Sequence, residues 1–319
     1  MIMKKYLYAI LLLLTNIGFA NNVVTDYQRI FLPLYSAEGQ LAIAIRVLKM
    51  NDVPSFLVVD PTSLETKVLP INNIKSPNLN KKNKPAYFTH WAIASTRYYQ
   101  LMNVHTAAPY VLENQGITHA GNGATVGNIL TIDLCPTMKP FESDFFNHLV
   151  QLSIASHKPI PITIAISGRW LLGHPEEFQW LLSKEKEKYL DITWANHSFS
   201  HIYYHDLPYS DNFLLTPATN VEAEILLTEK YLLEAGEMPS VFFRFPGLVS
   251  NESLQKQLKR YGLIPLGTDA WIANLQMKHQ AITPGGIILV HGNSNEHKGI
   301  ISLLPLLKTM TFLDIKLAV

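Results

Sequence analysis

The stretch Asp191-Ile192-Thr193-Trp194-Ala195-Asn196-His197-Ser198-Phe199-Ser200-His201 joins an apolar run to two histidines four residues apart. The run from Asp191 to Ala195 predicts a strand, because apolar and β-branched residues suit a pleated sheet. If the chain turns helically after it, His197 and His201 project from one face and can share an ion. Neutral imidazole binds zinc and similar divalent metals. Twelve histidines in 319 residues also give such spacings by chance, so the pair needs support from the rest of the chain.

Strands and helices alternate on both sides of this stretch. The predicted strands are 128–132, 161–166, 191–195, 241–244, 264–267, 286–290 and 312–316. Helical periodicity falls between them, and Thr219 with Glu222 forms a capping-box pair before a helix that runs to about Ala235. This alternation predicts parallel βα units, arranged in an open sheet or a barrel.

Five ionisable residues fall at or just after the C-terminal ends of predicted strands: Asp133, His197, Arg244, Asp269 and His291. In βα folds this edge of the sheet is where active sites are built. The coincidence indicates a catalytic site more strongly than the histidine pair alone.

Five motifs at these strand ends resemble those of the NodB-type polysaccharide deacetylases, carbohydrate esterase family four. They are Thr131-Ile132-Asp133, His197-Ser198-Phe199-Ser200-His201, Arg244-Phe245-Pro246-Gly247, Asp269-Ala270-Trp271 and Leu289-Val290-His291. The resemblance covers roughly residues 125 to 319. It implies an α/β fold, a distorted (β/α) barrel of the NodB deacetylase type, which removes acetyl groups from sugars with one divalent metal.

The resemblance also implies a role for each site residue. His197 and His201 would be metal ligands, with zinc as the expected metal. Asp133 would be the general base that activates the attacking water, and His291 the general acid that protonates the leaving amine. These roles are chemically coherent, because amide hydrolysis needs an activated water and a proton for the nitrogen.

The remaining motif residues would support these groups. Arg244 would pair with and orient Asp133, and Asp269 would hold the imidazole of His291. Trp271 would pack at the site, and the backbone N–H of Gly247 could help to hold the oxyanion. Each residue alone also has a structural interpretation. Arg244 could neutralise a buried carboxylate, Asp269 could form a cap or turn, and Trp271 and His291 could be core residues.

The first motif departs from the family at Leu134, where the family has a metal-binding aspartate. Asp133 could ligate the metal itself, or Asp144 could reach in from the following loop. His205 continues the histidine spacing but fits a surface loop. Cys135 is a capable zinc ligand, but strand alternation points it away from the side of Leu134, and a buried free thiol is the favoured interpretation. A last alternative is weak metal binding without catalysis.

The predicted function is removal of N-acetyl groups from a cell-envelope or extracellular polysaccharide. One alternative is a catalytically impaired glycan-binding domain, in which exposed aromatic residues stack on sugar rings: Trp170, Tyr203, Tyr204 and Trp271. Another is an O-acetyl esterase, because ester and amide cleavage can use the same groups.

The first residues of the chain predict where the protein is located. Residues 1–20 have a signal-peptide pattern, with Lys4 and Lys5 before an apolar stretch and a small-residue cleavage site at Ala20. The expected location is therefore the bacterial periplasm or exterior, with no membrane span after cleavage. Residues 21–126 are expected to form a partly β N-terminal extension, with strands at 41–48 and 56–59, and the sequence indicates no function for it. Residues 127–319 are expected to form the deacetylase-like domain.

The composition and net charge indicate which classes of binding partner are expected. The chain is 48% hydrophobic with a net charge of +1 and no long basic run, so a globular core is expected and nucleic acid is not an expected partner. The expected partner is an acetylated polysaccharide. The oligomeric state is not indicated.

Overall fold

A computed structural model describes residues 22–75, 92–121, 126–273 and 282–319. The predicted signal peptide at 1–20 lies outside these ranges. The N-terminal extension is an antiparallel sheet of β1 (Val24–Ser36), β2 (Leu41–Met50), β3 (Val53–Val59), β4 (Thr66–Pro70) and β5 (Ile74–Lys75), in the order β4-β3-β2-β1-β5. The predicted strands at 41–48 and 56–59 are thus confirmed.

The second sheet has seven parallel strands. They are β6 (Ile129–Leu134), β7 (Ile160–Ile166), β8 (Leu190–Asn196), β9 (Pro239–Phe243), β10 (Ile264–Pro265), β11 (Ala270–Trp271) and β12 (Ile287–His291). Their order is β10-β9-β8-β7-β6-β12-β11. The two edge strands β10 and β11 are separated along the chain only by residues 266–269. This short segment joins the two edges, so the sheet curls into the distorted barrel that was predicted.

Helices pack on the outside of this sheet. Its strands are apolar because these helices bury them. In the described residues they are α1 (Arg97–His105), α2 (Ser143–Ser156), α3 (Gly168–Gly173), α4 (Pro175–Lys186), α5 (Val221–Glu234), α6 (Glu252–Arg260), α7 (His297–Leu307) and α8 (Ile315–Ala318). Strands covered on both faces are buried along their whole length, as β6 and β9 are. No helix in the described residues is long and apolar enough to cross a membrane.

Strand register brings the predicted site residues together. Asp133 on β6 lies beside His291 on β12, and Asn196 at the end of β8 pairs with Phe243 on β9. The backbone N–H of Arg244 donates to the carbonyl oxygen of Asn196 at 2.9 Å. The C-terminal ends of four strands therefore meet at one edge of the barrel.

Two local predictions are wrong. The final segment 312–316 is not a strand: Phe312 makes a single bridge to Asn128, and α8 begins at Ile315. The capping box is also absent, because the helix begins one residue after Asn220, whose side chain accepts a hydrogen bond from the N–H of Ala223. An asparagine side chain satisfies a free helix N–H as well as threonine does, so it displaces the cap by one residue.

The N-terminal sheet is anchored to the barrel by a buried ion pair. Arg46 on β2 contacts Glu229 on α5 through two hydrogen bonds, Nε to Oε2 at 2.7 Å and Nη2 to Oε1 at 2.8 Å. Both side chains are at most 1% exposed. The Tyr27 hydroxyl also donates to Glu229 at 2.9 Å. The two sheets share a hydrophobic cluster that includes residues of both.

Candidate active site

A cavity of about 400 Å³ opens at the edge of the barrel where these strands end. Residues from several elements line it, and most of them are polar or aromatic. They are Asp133, Cys135, Pro136, His197, His201, Tyr203, Tyr209, Phe213, Gly247, Leu248, Trp271, Leu289, His291, Asn295 and Glu296. Six of the eight predicted site residues line it. The other two are Arg244, which is buried beneath the cavity, and Asp269.

The segment from His197 to His201 is an irregular turn and not the helical turn that the spacing suggested. Ser198 and His201 adopt left-handed backbone conformations, with φ of 65° and 46°. The buried carboxylate of Glu224, in the first turn of α5, holds the turn by accepting from the N–H groups of Phe199 at 3.0 Å and Ser200 at 2.8 Å. The turn still brings the two rings together, with centroids 4.6 Å apart.

His197 is held in the form that a metal ligand requires. Its Nδ1 lies 2.8 Å from the carbonyl oxygen of Arg244, which can only accept, so the proton is on Nδ1 and Nε2 has a free lone pair. Burial lowers the pKa of His197, although Asp133 raises it, and the ring is therefore neutral at pH 7. The lone pair of Nε2 faces the cavity.

Cys135 contributes a third potential ligand. Its Sγ lies 3.4 Å from His197 Nε2, and one donor atom from each of Cys135, His197 and His201 lies within 4.8 Å of the others. Burial raises the pKa of the Cys135 thiol, but His201 and His291 lower it by a larger amount. The net pKa therefore falls from 9.0 to about 7. The favoured sequence interpretation, a buried free thiol without a role, missed this placement. Cys135 does point away from Leu134, as strand alternation predicts, but Leu134 faces the core, so Cys135 lies on the cavity side with Asp133.

These residues fit a divalent metal ion. Among the described residues, His201 Nε2 and Asp133 Oδ1 are buried and have no hydrogen-bond partner. Unpaired buried polar atoms are costly, and a cation that accepts their lone pairs would satisfy them. Thiolate and imidazole are ligands of zinc. Leu134, in contrast, is fully buried in the hydrophobic cluster of the barrel and faces away from the site.

Asp133 and Arg244 lie close together but do not form the predicted pair. Asp133 is 4% exposed, and its Oδ2 lies 3.6 Å from His197 Nε2. The fully buried Arg244 donates from Nη2 to Thr131 Oγ1 at 2.9 Å instead. Burial lowers the pKa of Arg244, while the charges of Asp133 and Cys135 raise it. Arg244 therefore acts on Asp133 through its charge and not through a direct hydrogen bond.

The sequence predicts that Asp269 holds the imidazole of His291, but in the structure Asp269 contacts a different histidine. Asp269 Oδ2 lies 2.5 Å from Nδ1 of His119, a histidine outside the five motifs. Glu296 occupies the position beside His291, with Oε2 2.7 Å from Nδ1, and it also accepts from Trp271 Nε1 at 2.8 Å. The reason is local geometry, because the turn of Ser294–Glu296 folds back over the end of β12.

Glu296 and Cys135 both influence the charge of His291. Burial alone lowers the pKa of His291, but Cys135 and Glu296 raise it, and the net result lies well above the ordinary value. Burial raises the pKa of Glu296, whereas the contact with His291 lowers it, and the net direction is downward. His291 is therefore a protonated group at neutral pH, held by a carboxylate.

Gly247 and Trp271 form part of the cavity wall. Gly247 has a φ of 63°, and a side chain there would overlap the ring of Phe213, so glycine is required on both grounds. Trp271 is only half-buried, and its indole lies 5.8 Å from the ring of His291. Of the other candidate ligands, Asp144 is exposed in the first turn of α2, and the side chain of His205 is 92% exposed beside Asp206.

Comparisons with known proteins address the two parts of the chain separately. Residues 25–99 match a family model described as the RP012 protein N-terminal domain. The barrel has a chain path similar to that of solved carbohydrate esterases of family 4.

A family 4 carbohydrate esterase from Bacillus anthracis is 19% identical, with a TM-score of 0.44 over 63% of this chain and 85% of that one. PdaA of Bacillus subtilis, another family 4 esterase, is 16% identical, with a TM-score of 0.43 over 63% of this chain and 82% of that one. A family 4 pseudoenzyme from Bacillus anthracis is 15% identical, with a TM-score of 0.41 over 61% of this chain and 66% of that one.

Proposed function

We propose that this chain is a metal-dependent hydrolase that removes N-acetyl groups from a cell-envelope or extracellular polysaccharide. The observation that carries the proposal is the convergence of a carboxylate, two imidazoles and a histidine–glutamate pair in one cavity at the C-terminal edge of a βα barrel. Asp133, His197, His201 and His291 stand in motifs that resemble those of the NodB-type deacetylases, apart from Leu134, whereas Glu296 lies outside these motifs. The family 4 relatives in fold include both esterases and a pseudoenzyme.

Each residue has a role in hydrolysis of the acetamide. His197 and His201 would hold a divalent metal, which when bound polarises the acetyl carbonyl and lowers the pKa of water. Asp133 takes a proton from the attacking water, whose oxygen forms a bond to the carbonyl carbon. His291 donates a proton to the amide nitrogen as the C–N bond breaks, which yields acetate and a free amine. Glu296 stabilises the protonated imidazole of His291.

The wall of the cavity suits a sugar polymer. Tyr203 and Tyr209 are about half-exposed at the rim, and Trp271 lies beside the proposed acid. Aromatic rings with one apolar face and one polar edge pack against sugar rings. The N–H of Gly247 is proposed as a donor to the oxyanion. Export to the periplasm or exterior, proposed from the sequence of residues 1–20, would bring the enzyme to peptidoglycan or an exopolysaccharide.

The experiment that tests this function measures acetate release from N-acetylated and O-acetylated glycan oligomers side by side. We expect release from the N-acetylated substrate, loss of activity with a chelator, and loss in Asp133→Asn. The matched control is Asp144→Asn, which removes an exposed carboxylate outside the cavity and should keep activity. Release from O-acetylated substrates alone would make the chain an esterase. Full activity of Asp133→Asn would remove the base assignment.

A second candidate function is glycan binding without catalysis. The observation in its favour is Leu134, an apolar core residue where the family has a metal-binding carboxylate. Glycan binding that persists unchanged in chelator, together with no acetate release from either type of substrate, would favour this alternative.

A further inference from the structure

We propose that the Cys135 thiolate is the third protein ligand of the metal site and that the set of Cys135, His197 and His201 selects zinc. This assignment rests on the proposed function, because it concerns the metal which that hydrolysis uses. It replaces the carboxylate that Leu134 cannot supply.

The distances suit a tetrahedral zinc site. With Zn–S bonds of about 2.3 Å and Zn–N bonds of about 2.0–2.1 Å, the sulphur and nitrogen ligands lie roughly 3.5 Å apart. Cys135 Sγ lies 3.4 Å from His197 Nε2, and a donor atom of His201 completes a group within 4.8 Å. The three side chains need little movement to share one ion.

In the part of the chain that the structure describes, buried ligand atoms without hydrogen-bond partners surround this group and favour the binding of a cation. The Asp133 side chain is 95% buried, and its Oδ1 has no partner among the described residues. The same holds for the buried Nε2 of His201. The Nε2 lone pair of His197 also faces the thiol, because the proton of that ring is held at Nδ1 by the carbonyl of Arg244. Lone pairs of three side chains thus converge beside one sulphur atom.

The other candidates for the third ligand are less well placed. Asp144 is exposed on α2, and the His205 side chain is 92% exposed beside Asp206. Asp133 Oδ2 lies 3.6 Å from His197 Nε2, but Asp133 is not part of the group of ligand atoms within 4.8 Å that includes His201. With Cys135 as ligand, Asp133 remains free to act as the base, which a coordinated carboxylate does poorly.

Sulphur changes which metal the site prefers. Thiolate ligands favour zinc, whereas Mg²⁺ and Mn²⁺ prefer oxygen ligands. Metal binding breaks the S–H bond of Cys135, forms a metal–sulphur bond and releases one proton to solvent. The site should therefore bind zinc far more tightly than manganese.

The test uses the full-length protein, stripped with a chelator and reloaded with Zn²⁺ or Co²⁺. Cys135 is the only cysteine in the chain, so every thiol signal comes from it. We expect the Co²⁺ protein to show a near-ultraviolet thiolate-to-cobalt charge-transfer band, which Cys135→Ser lacks. Zinc affinity should fall by more than about 100-fold in Cys135→Ser, since changes outside the first coordination shell already cost about 10–100-fold.

Two further measurements do not depend on the serine variant. Bound Zn²⁺ should protect Cys135 of the unmodified chain from alkylation by iodoacetamide. Cys135→Asp, which supplies a carboxylate, should bind metal without the charge-transfer band and with a smaller preference for Zn²⁺ over Mn²⁺.

The outcomes separate this assignment from the proposed function. Co²⁺ protein without the band, and Cys135→Ser with unchanged zinc affinity, would overturn the thiolate assignment even if the enzyme releases acetate. The band in a protein that releases no acetate would support the assignment and count against the proposed function. An acetyl thioester on Cys135 formed by the metal-free protein would also overturn the assignment, because the thiol would then be a nucleophile.

Discussion

Glu296 Oε2 lies 2.7 Å from His291 Nδ1, so the partner of the proposed acid comes from the turn after β12 and not from Asp269. Glu296 and Cys135 raise the pKa of His291 against the lowering effect of burial. A general acid works only while protonated, so activity should fall as the pH rises through the pKa of His291. Glu296→Gln removes one negative charge, and we expect the alkaline limb of the kcat/KM profile to move to lower pH.

The control for this prediction is Asp269→Asn. Asp269 pairs with His119, so its replacement should leave the alkaline limb where it is in the unmodified protein. A shifted limb in Asp269→Asn, with no shift in Glu296→Gln, would restore the partnership that the sequence motif suggested.

The buried pair of Arg46 and Glu229 predicts a large effect on stability. Arg46→Leu leaves the Glu229 carboxylate buried without its cation, which should lower the free energy of unfolding by about 3–5 kcal/mol. Urea unfolding followed by circular dichroism measures the loss. The double variant Arg46→Met/Glu229→Leu removes both charges and should recover most of it.

Lys49 provides the control on the same strand. Its ion pair with Asp26 is exposed on both sides, so Lys49→Met should leave the unfolding midpoint unchanged. An Arg46→Leu variant as stable as the unmodified protein would show that the N-terminal sheet does not depend on this anchor.

The sequence predicts the barrel and the ends of its strands well, because hydrophobic periodicity and the strand-end positions of Asp133, His197 and His291 are local properties. The partners of these residues depend on how the loops fold. Glu296 reaches His291 only through the fold of the four residues between them. The left-handed backbone at Ser198 cannot be read from the sequence, because the residue is not glycine. Strand alternation correctly separates Cys135 from Leu134, but which of the two sides faces the cavity depends on how the sheet curls.

Glu185 and Glu237 lie together near the N-terminal end of β8, away from the cavity, and predict a pH dependence of stability. Burial and the neighbouring Glu237 raise the pKa of Glu185 from 4.5 to about 8. The folded chain therefore binds more protons than the unfolded chain between these values, and its stability falls as the pH rises across them. In Glu185→Gln this fall should be smaller, as measured by urea unfolding between about pH 5 and pH 8. Glu187→Gln, which changes an exposed residue paired with Lys184, should keep the slope of the unmodified protein.

Glu224 holds the turn that carries His197 and His201, the two proposed metal ligands, and its replacement should weaken metal binding without removing a ligand. Its carboxylate accepts from the N–H groups of Phe199 and Ser200, between His197 and His201. Both N–H groups donate to the same oxygen, Oε2, so an amide oxygen there can keep both hydrogen bonds but loses the charge that strengthens them. We expect Glu224→Gln to lower zinc affinity by about 10–100-fold, the usual effect of residues that orient metal ligands. Glu222→Gln removes an exposed charge from the same helix turn and isolates the contribution of the helix dipole. Competition titration with a chromophoric chelator measures both variants, and equal affinities for the two would show that Glu224 does not position the histidines.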